Sequence, residues 1–195
     1  AMEEALTNIT NSGRYLLGLV NDCLDLEKIT NGKMELHPKP YYYKDFCNNI
    51  RSIIDPLCQG KDVTFVLDTQ SDPMPLIVVD RLRMEQIFFN LLSNAVKFTP
   101  SGGTVEMLTQ NISIHNNQAS FDSIVRDNGI GMSQAFQDQM FEPFVQESAP
   151  MDVQNQGTGL GLSIVKQLTQ LMGATLDVKS KQGTGTTLTL HWTLP

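Results

Sequence analysis

Between Asp80 and Phe98 the residues Gln86, Asn90, Asn94 and Lys97 follow one another at spacings of four, four and three. On a helix those spacings set all four on one face. Two amide oxygens suit a hard Mg²⁺ ion that keeps most of its waters, and one ammonium suits phosphate oxygens. Taken alone, the same face serves equally well as a solvated helix surface.

A second group is Asp127-Asn128-Gly129-Ile130-Gly131, directly after an apolar run. Asn-Gly is a strong hairpin signal. A hairpin, however, needs a returning strand at once, whereas Gly131-Met132-Ser133-Gln134 reads as a second bend and a helix start. Two glycines there permit close ligand approach, and a buried aspartate at a strand end can accept a hydrogen bond from an exocyclic amine. The third group is Gly157-Thr158-Gly159-Leu160-Gly161-Leu162, running into a helical pattern. Glycine backbone N–H groups and a helix N-terminus together favour an anion such as a triphosphate. No strand of a βαβ unit precedes these glycines and no GK[ST] follows them, so neither the dinucleotide nor the P-loop pattern applies.

The elements that must carry these groups are legible in outline. Apolar residues at Leu6, Ile9, Leu16, Leu17, Val20, Leu24 and Ile29, with Gly13 in the same register, mark one side of a long helix that needs a partner. Asn31-Gly32 ends it, and Pro38 and Pro40 force extended chain, which places a domain boundary between 1–36 and 37–195. Beyond it the pattern predicts a helix capped by Asp45 and stopped at Gly60, strands over 63–67 and 76–79, a helix over 80–98, and strands over 104–114 and 119–125 joined across Asn116-Asn117. A short helix from Ser133 towards Phe141, a helix introduced by Gly157 and closed by Gly173, and strands over 174–179 and 186–194 complete the chain. In the last strand Leu188, Leu190, Trp192 and Leu194 alternate with Thr187, Thr189, His191 and Thr193. Helices mixed with adjacent strands predict an α+β fold, a layer of helices on one face of a mixed sheet.

A net charge of −7 and a pI near 4.8 argue against a nucleic-acid or anionic-membrane surface. The three cysteines form no CxxC pair, which fits a reducing cytosol and gives no zinc site. No apolar run approaches the roughly 18 to 20 residues of a membrane span. The expectation is a cytoplasmic domain without direct membrane contact, whose parent protein could still carry an anchor elsewhere.

In chain order, the stretch from Asn90 through Asn94 and Lys97 to Thr99 (NLLSNAVKFT) resembles the N box of two-component sensor histidine kinases. Asp127 to Gly131 (DNGIG) resembles their G1 box, Phe141-Glu142-Pro143-Phe144 their F box, Gly157 to Leu162 (GTGLGL) their G2 box, and Gly183-Thr184-Gly185-Thr186-Thr187 a G3-like turn. Residues 16–36 are similar to the second helix of the dimerisation and histidine-phosphotransfer hairpin, and the DNGIGM and FEPF segments are similar to those of hybrid kinases.

The resemblance implies a Bergerat-type two-layer α/β sandwich that binds ATP with Mg²⁺ and transfers the γ-phosphoryl group to a histidine, for relay to a response-regulator receiver domain. It implies that Asn94 holds the metal, Asn90 assists and Lys97 contacts phosphate. Asp127 would take the adenine amino group, Gly129 and Gly131 would let the base approach, and Phe98, Ile130, Phe144 and Thr187 would also belong to the nucleotide site. Gly157, Thr158, Gly159, Leu160, Gly161 and Leu162 would wrap the phosphates, under a mobile lid over 136–156. Related ATPases of the gyrase type carry a water-activating Glu four residues before the metal-binding Asn. Here that position is Asn90, which favours transfer over hydrolysis. The family's accepting histidine precedes an acidic residue, whereas His37, His115 and His191 precede Pro38, Asn116 and Trp192. The acceptor is therefore expected outside this sequence, and the parent is expected to dimerise through its helical hairpin. The lid also departs from the pattern, with no Lys or Arg between Asp127 and Val165.

Overall fold

A computed structural model describes residues 2–69, 76–147 and 157–195, with no side-chain account for 2–8, 11, 14, 15 and 69. The Leu6 side chain in the helical stripe and residues 148–156 of the expected lid therefore lie outside what is described. Helix α1 (Met2–Thr30) leads into strand β1 (Lys39–Tyr42), helix α2 (Tyr43–Gln59), strands β2 (Thr64–Thr69) and β3 (Leu76–Val79), and helix α3 (Arg81–Phe98). Strands β4 (Thr104–His115) and β5 (Gln118–Asp127), helices α4 (Gln134–Gln137) and α5 (Gly161–Leu171), and strands β6 (Thr175–Lys181) and β7 (Gly185–Leu194) follow.

Five strands form one sheet in the order β2-β4-β5-β7-β6, with β2 parallel to β4 and every other pair antiparallel. Strands β1 and β3 make a separate antiparallel pair, tied to the sheet end where Val78 N donates to Pro195 O at 2.8 Å. The period of two decides the layers. Ala119, Phe121, Ser123 and Val125 of β5 and Leu188, Leu190, Trp192 and Leu194 of β7 are buried. Their alternates carry a polar outer face on which His191 Nδ1 meets Asp122 at 2.6 Å, His191 Nε2 meets Asp177 at 3.2 Å, and Arg126 pairs with Glu106. Helices α2, α3 and α5 share one core with the inner face. Its aromatic spine runs from Tyr43 through Phe46 and Phe88 to Trp192, and from Tyr43 through Phe121 to the same indole. This is the two-layer α+β sandwich.

The hairpin between β4 and β5 turns on Asn116 and Asn117, both in the left-handed region (φ 49° and 60°), which matches the twist of the two strands. Elsewhere strand ends shift by one or two residues, and three helix boundaries differ from expectation by more. Helix α2 begins at Tyr43, with Tyr42 giving no side-chain cap. The wholly buried Tyr43 ring and its hydroxyl, bonded to Thr109 at 3.0 Å and Ser123 at 3.2 Å, fix the start where Asp45 was expected to. Helix α4 is a single turn capped by Ser133 rather than a run to Phe141, and α5 starts at Gly161 rather than Gly157.

Helix α1 leaves Ile9, Leu16, Leu17, Val20 and Leu24 exposed, while Leu19, Leu26 and Ile29 pack on the core. Polar contacts add to that packing: Asp25 accepts from Arg83 Nη1 and from Gln86 Nε2, each at 2.9 Å. No helix among the described residues is long and apolar enough to cross a membrane.

Candidate nucleotide-binding site

Helix α3 is the keel of the site. Asp80 caps it by accepting from Arg83 N at 3.1 Å, and its other carboxylate oxygen takes His37 N at 2.8 Å, fastening the linker to the helix start. Met84, Ile87, Phe88, Leu91, Leu92, Ala95 and Val96 are buried in the core, which turns the opposite face towards α5 and the loop before it. Asn90 donates its amide N–H to Gln86 O at 3.0 Å, leaving its oxygen for the glycine loop. A Cβ on Gly161 would stand 2.9 Å from that oxygen, so the glycine lets the loop approach Asn90 without moving its amide. Asn94 follows one turn on, half-buried. The Lys97 ammonium lies 5.0 Å from the Phe98 ring centroid and 3.6 Å from where a Cβ on Gly157 would sit. Burial, then repulsion from Lys61, lowers its pKa from 10.5.

The glycine loop is anchored from below. Leu160 is fully buried, its N–H donates to Thr158 Oγ1 at 3.1 Å, and Ser163 Oγ donates to its carbonyl at 2.8 Å. Gly159, at φ 73°, accepts from Phe144 N at 2.9 Å, and a Cβ there would press on the Phe144 backbone at 2.8 Å. Phe144 thus holds the loop through its main chain, itself at φ 65°, with its ring exposed. Helix α5 has no side-chain N-cap. The backbone donors of its first turn, beside the half-buried Gly161 and Leu162, are those an anion can take.

At the other end Asp127 closes β5 between Val105 of β4 and Thr186 of β7. Burial raises its pKa from 3.8, and hydrogen bonds from the Gly129 N–H (2.9 Å) and the Thr186 backbone oppose that rise. Ile130 N donates to Phe98 O at 3.2 Å, and Gly183 N to Ile130 O at 2.7 Å, so the end of α3, the Asp127–Gly131 turn and the β6–β7 turn are one stitched unit. Gly131, buried, packs on Lys181 of that turn.

The structure therefore brings Asn90 beside Gly161 and Lys97 beside Gly157, with Asn94 between them on α3, and sets Gly129 and Ile130 against Phe98, with Asp127 bonded to Gly129. Thr187 is not brought in. It pairs with Arg126 on the outer face, whereas Thr186 stands beside Asp127 on the inner one. A one-residue step along a strand reverses the face, and the alternation of Thr187 with Leu188 already carried that information. Gln86 shares the α3 face but is engaged by Asp25. Residues missed from sequence are Lys61 and Asp22. Lys61 donates to the Val96 and Lys97 carbonyls, and Asp22 of α1 takes the Thr158 hydroxyl. Both act across gaps of more than thirty residues, where no local pattern points.

Known proteins share the sequence pattern and the fold. The family profile described as histidine kinase-, DNA gyrase B-, and HSP90-like ATPase matches residues 79–195, more than half of the chain. The autoinducer 2 sensor kinase/phosphatase LuxQ of Vibrio parahaemolyticus serotype O3:K6 (strain RIMD 2210633) is 39% identical over 188 residues, covering 96% of this chain and 22% of LuxQ. The virulence sensor protein BvgS of Bordetella bronchiseptica (strain ATCC BAA-588 / NCTC 13252 / RB50) is 38% identical over 185 residues, 92% of this chain and 14% of BvgS. The crystal structure of full-length ShkA in complex with AMPPNP superposes with a TM-score of 0.79 at 29% identity, over 97% of this chain and 38% of that one. The chain belongs to this ATPase family and, within it, is a catalytic ATP-binding domain of the sensor histidine kinase type. It spans about a fifth or less of the length of these curated relatives.

Proposed function

We propose that this domain binds ATP with Mg²⁺ and transfers the γ-phosphoryl group to a histidine outside the present sequence, for relay to a receiver-domain aspartate. A histidine ring nitrogen attacks the γ-phosphorus, the bond to the β–γ bridging oxygen breaks, and ADP leaves with that electron pair. Mg²⁺ would supply charge neutralisation between the β- and γ-phosphates. The donor set suits it. Asn90 has its N–H committed to Gln86 O and its oxygen turned to the glycine loop, Asn94 lies one turn on, and amide oxygens are hard ligands. Lys97 and the uncapped α5 N-terminus would meet the remaining phosphate charge, and Asp127 would accept from the adenine amino group.

The observation that carries transfer over hydrolysis is Asn90 itself. It faces the phosphate loop where a hydrolase needs a carboxylate, and an amide cannot take a proton from water. Asn90→Glu is the test: phosphate release in Mg²⁺-ATP should rise above the wild-type level while transfer falls. Fast phosphate release by the wild type, unchanged in the variant, would contradict this reading.

The exposed stripe of Ile9, Leu16, Leu17, Val20 and Leu24 supports a dimer in which residues 1–36 give one helix of each protomer's hairpin, distinct from the catalytic domain over 37–195. The acidic surface supports protein and nucleotide partners rather than nucleic acid, on the cytoplasmic side of any membrane the parent is anchored in.

A further inference from the structure

The last turn of a helix leaves its carbonyls without intrahelical partners, and a lysine in that turn can bend back to meet them. In α3 that lysine is Lys97, yet every carbonyl of the turn has another donor. Ala95 O takes Thr99 N at 3.0 Å and Thr99 Oγ1 at 2.7 Å, Phe98 O takes Ile130 N at 3.2 Å, and Lys61 Nζ reaches Val96 O at 2.9 Å and also Lys97 O. Lys61 belongs to the turn after α2, where Asp62 is bound in its turn to Ser101 and Gly102 of the loop after α3. A second ammonium therefore sits on the negative end of α3, fixed from outside the helix.

We infer that Lys61 is a positioning residue for phosphate binding: by occupying the α3 C-terminal carbonyls it displaces the Lys97 ammonium from its own helix end and holds it over Phe98, facing Gly157 and the phosphate loop. Two observations agree with that division of labour. Lys97 makes its ring contact at 5.0 Å and approaches Gly157 rather than its own carbonyls, and the like charge of Lys61 disfavours its return. Without Lys61 the helix dipole and two unpaired carbonyls would draw Lys97 back. Lys61 would touch neither nucleotide nor metal.

This inference rests on the functional reading above, and the experiment separates the two. Dissociation constants for Mg²⁺-ATP and for adenosine are measured by calorimetry on the wild type, Lys61→Met, Lys61→Arg, Lys97→Met and the Lys61→Met/Lys97→Met double variant. The expected result is an about tenfold loss of ATP affinity in Lys61→Met, the size of one charge-assisted phosphate contact. Adenosine affinity should stay within about twofold, Lys61→Arg should restore ATP binding, and Lys61→Met should cost nothing further once Lys97 is Met. If Lys61→Met does not fold, Lys61→Gln carries the same comparison. Equal loss for ATP and adenosine, no loss for either, or additive loss in the double variant overturns the positioning role and leaves the functional reading standing. A wild type that binds neither ligand overturns both.

Discussion

Replacing Asp127 by Asn tests the base-recognition end of the site. The carboxylate is half-buried at the end of β5, with one oxygen taking Gly129 N at 2.9 Å. The Thr186 backbone also bonds the carboxylate, and the acceptor capacity that remains is what an exocyclic amine would use. Asn keeps an oxygen for Gly129 but removes the charge and presents two N–H groups. A hydrogen bond to a charged group contributes about 1.5–3 kcal/mol, so ATP should bind roughly ten- to hundredfold more weakly in Asp127→Asn. GTP, whose six-position is a carbonyl acceptor, should lose nothing or gain, because the new amide can donate to it. Titration of both nucleotides with Mg²⁺, with thermal melts confirming a folded variant, gives the ratio directly. An ATP-to-GTP preference unchanged within about twofold would remove Asp127 from base recognition and place the adenine elsewhere.

Nucleotide affinity should be bell-shaped in pH. Asp127, raised from 3.8 mainly by burial, is protonated on acidification earlier than an ordinary carboxylate, and Lys97, lowered from 10.5 mainly by burial, loses its charge earlier on the alkaline side. Asp127→Asn should flatten the acid limb and Lys97→Met the alkaline one, read from dissociation constants across pH. In the α1 dock, Asp25 and Arg83 are about four-fifths buried and meet at 2.9 Å. Asp25→Ala should destabilise by about 1–3 kcal/mol, and a double-mutant cycle with Arg83→Ala in urea should return a coupling of about 1 kcal/mol. Tyr43→Phe, which takes the shared hydroxyl from Thr109 and Ser123, should cost about 1 kcal/mol in the same assay.

How much the sequence revealed follows from how local each signal is. Helix α3 was legible from its Asp80 cap to Phe98 because cap, periodicity and the following Pro100 all agree within one segment. Strand β7 was legible from its strict alternation, and the layer it faces followed from the same pattern. The start of α2 was not, because it is fixed by Tyr43 packing against Phe121 and bonding to Ser123, some eighty residues away, and not by a capping side chain. The start of α5 was misplaced by four residues because the glycines that introduce it form an extended loop held by Phe144. Spacing alone sets Gln86, Asn90, Asn94 and Lys97 on one face of α3, of which Asn90 and Lys97 meet the glycine loop and Gln86 meets Asp25. The contacts of Lys61, Asp22 and Asp25 depend on how separate elements dock, and spacing along one element says nothing of that.

Phosphoryl transfer to histidine can be followed with labelled nucleotide. The purified domain is incubated with Mg²⁺ and γ-labelled ATP together with a helical hairpin carrying a histidine followed by an acidic residue, and label is followed on protein and as free phosphate. Acid-labile, base-stable label should accumulate on the hairpin, with none on this chain, whose His37, His115 and His191 lack that context. Label released as phosphate with none on the hairpin, or stable label on His37, His115 or His191, would contradict the account.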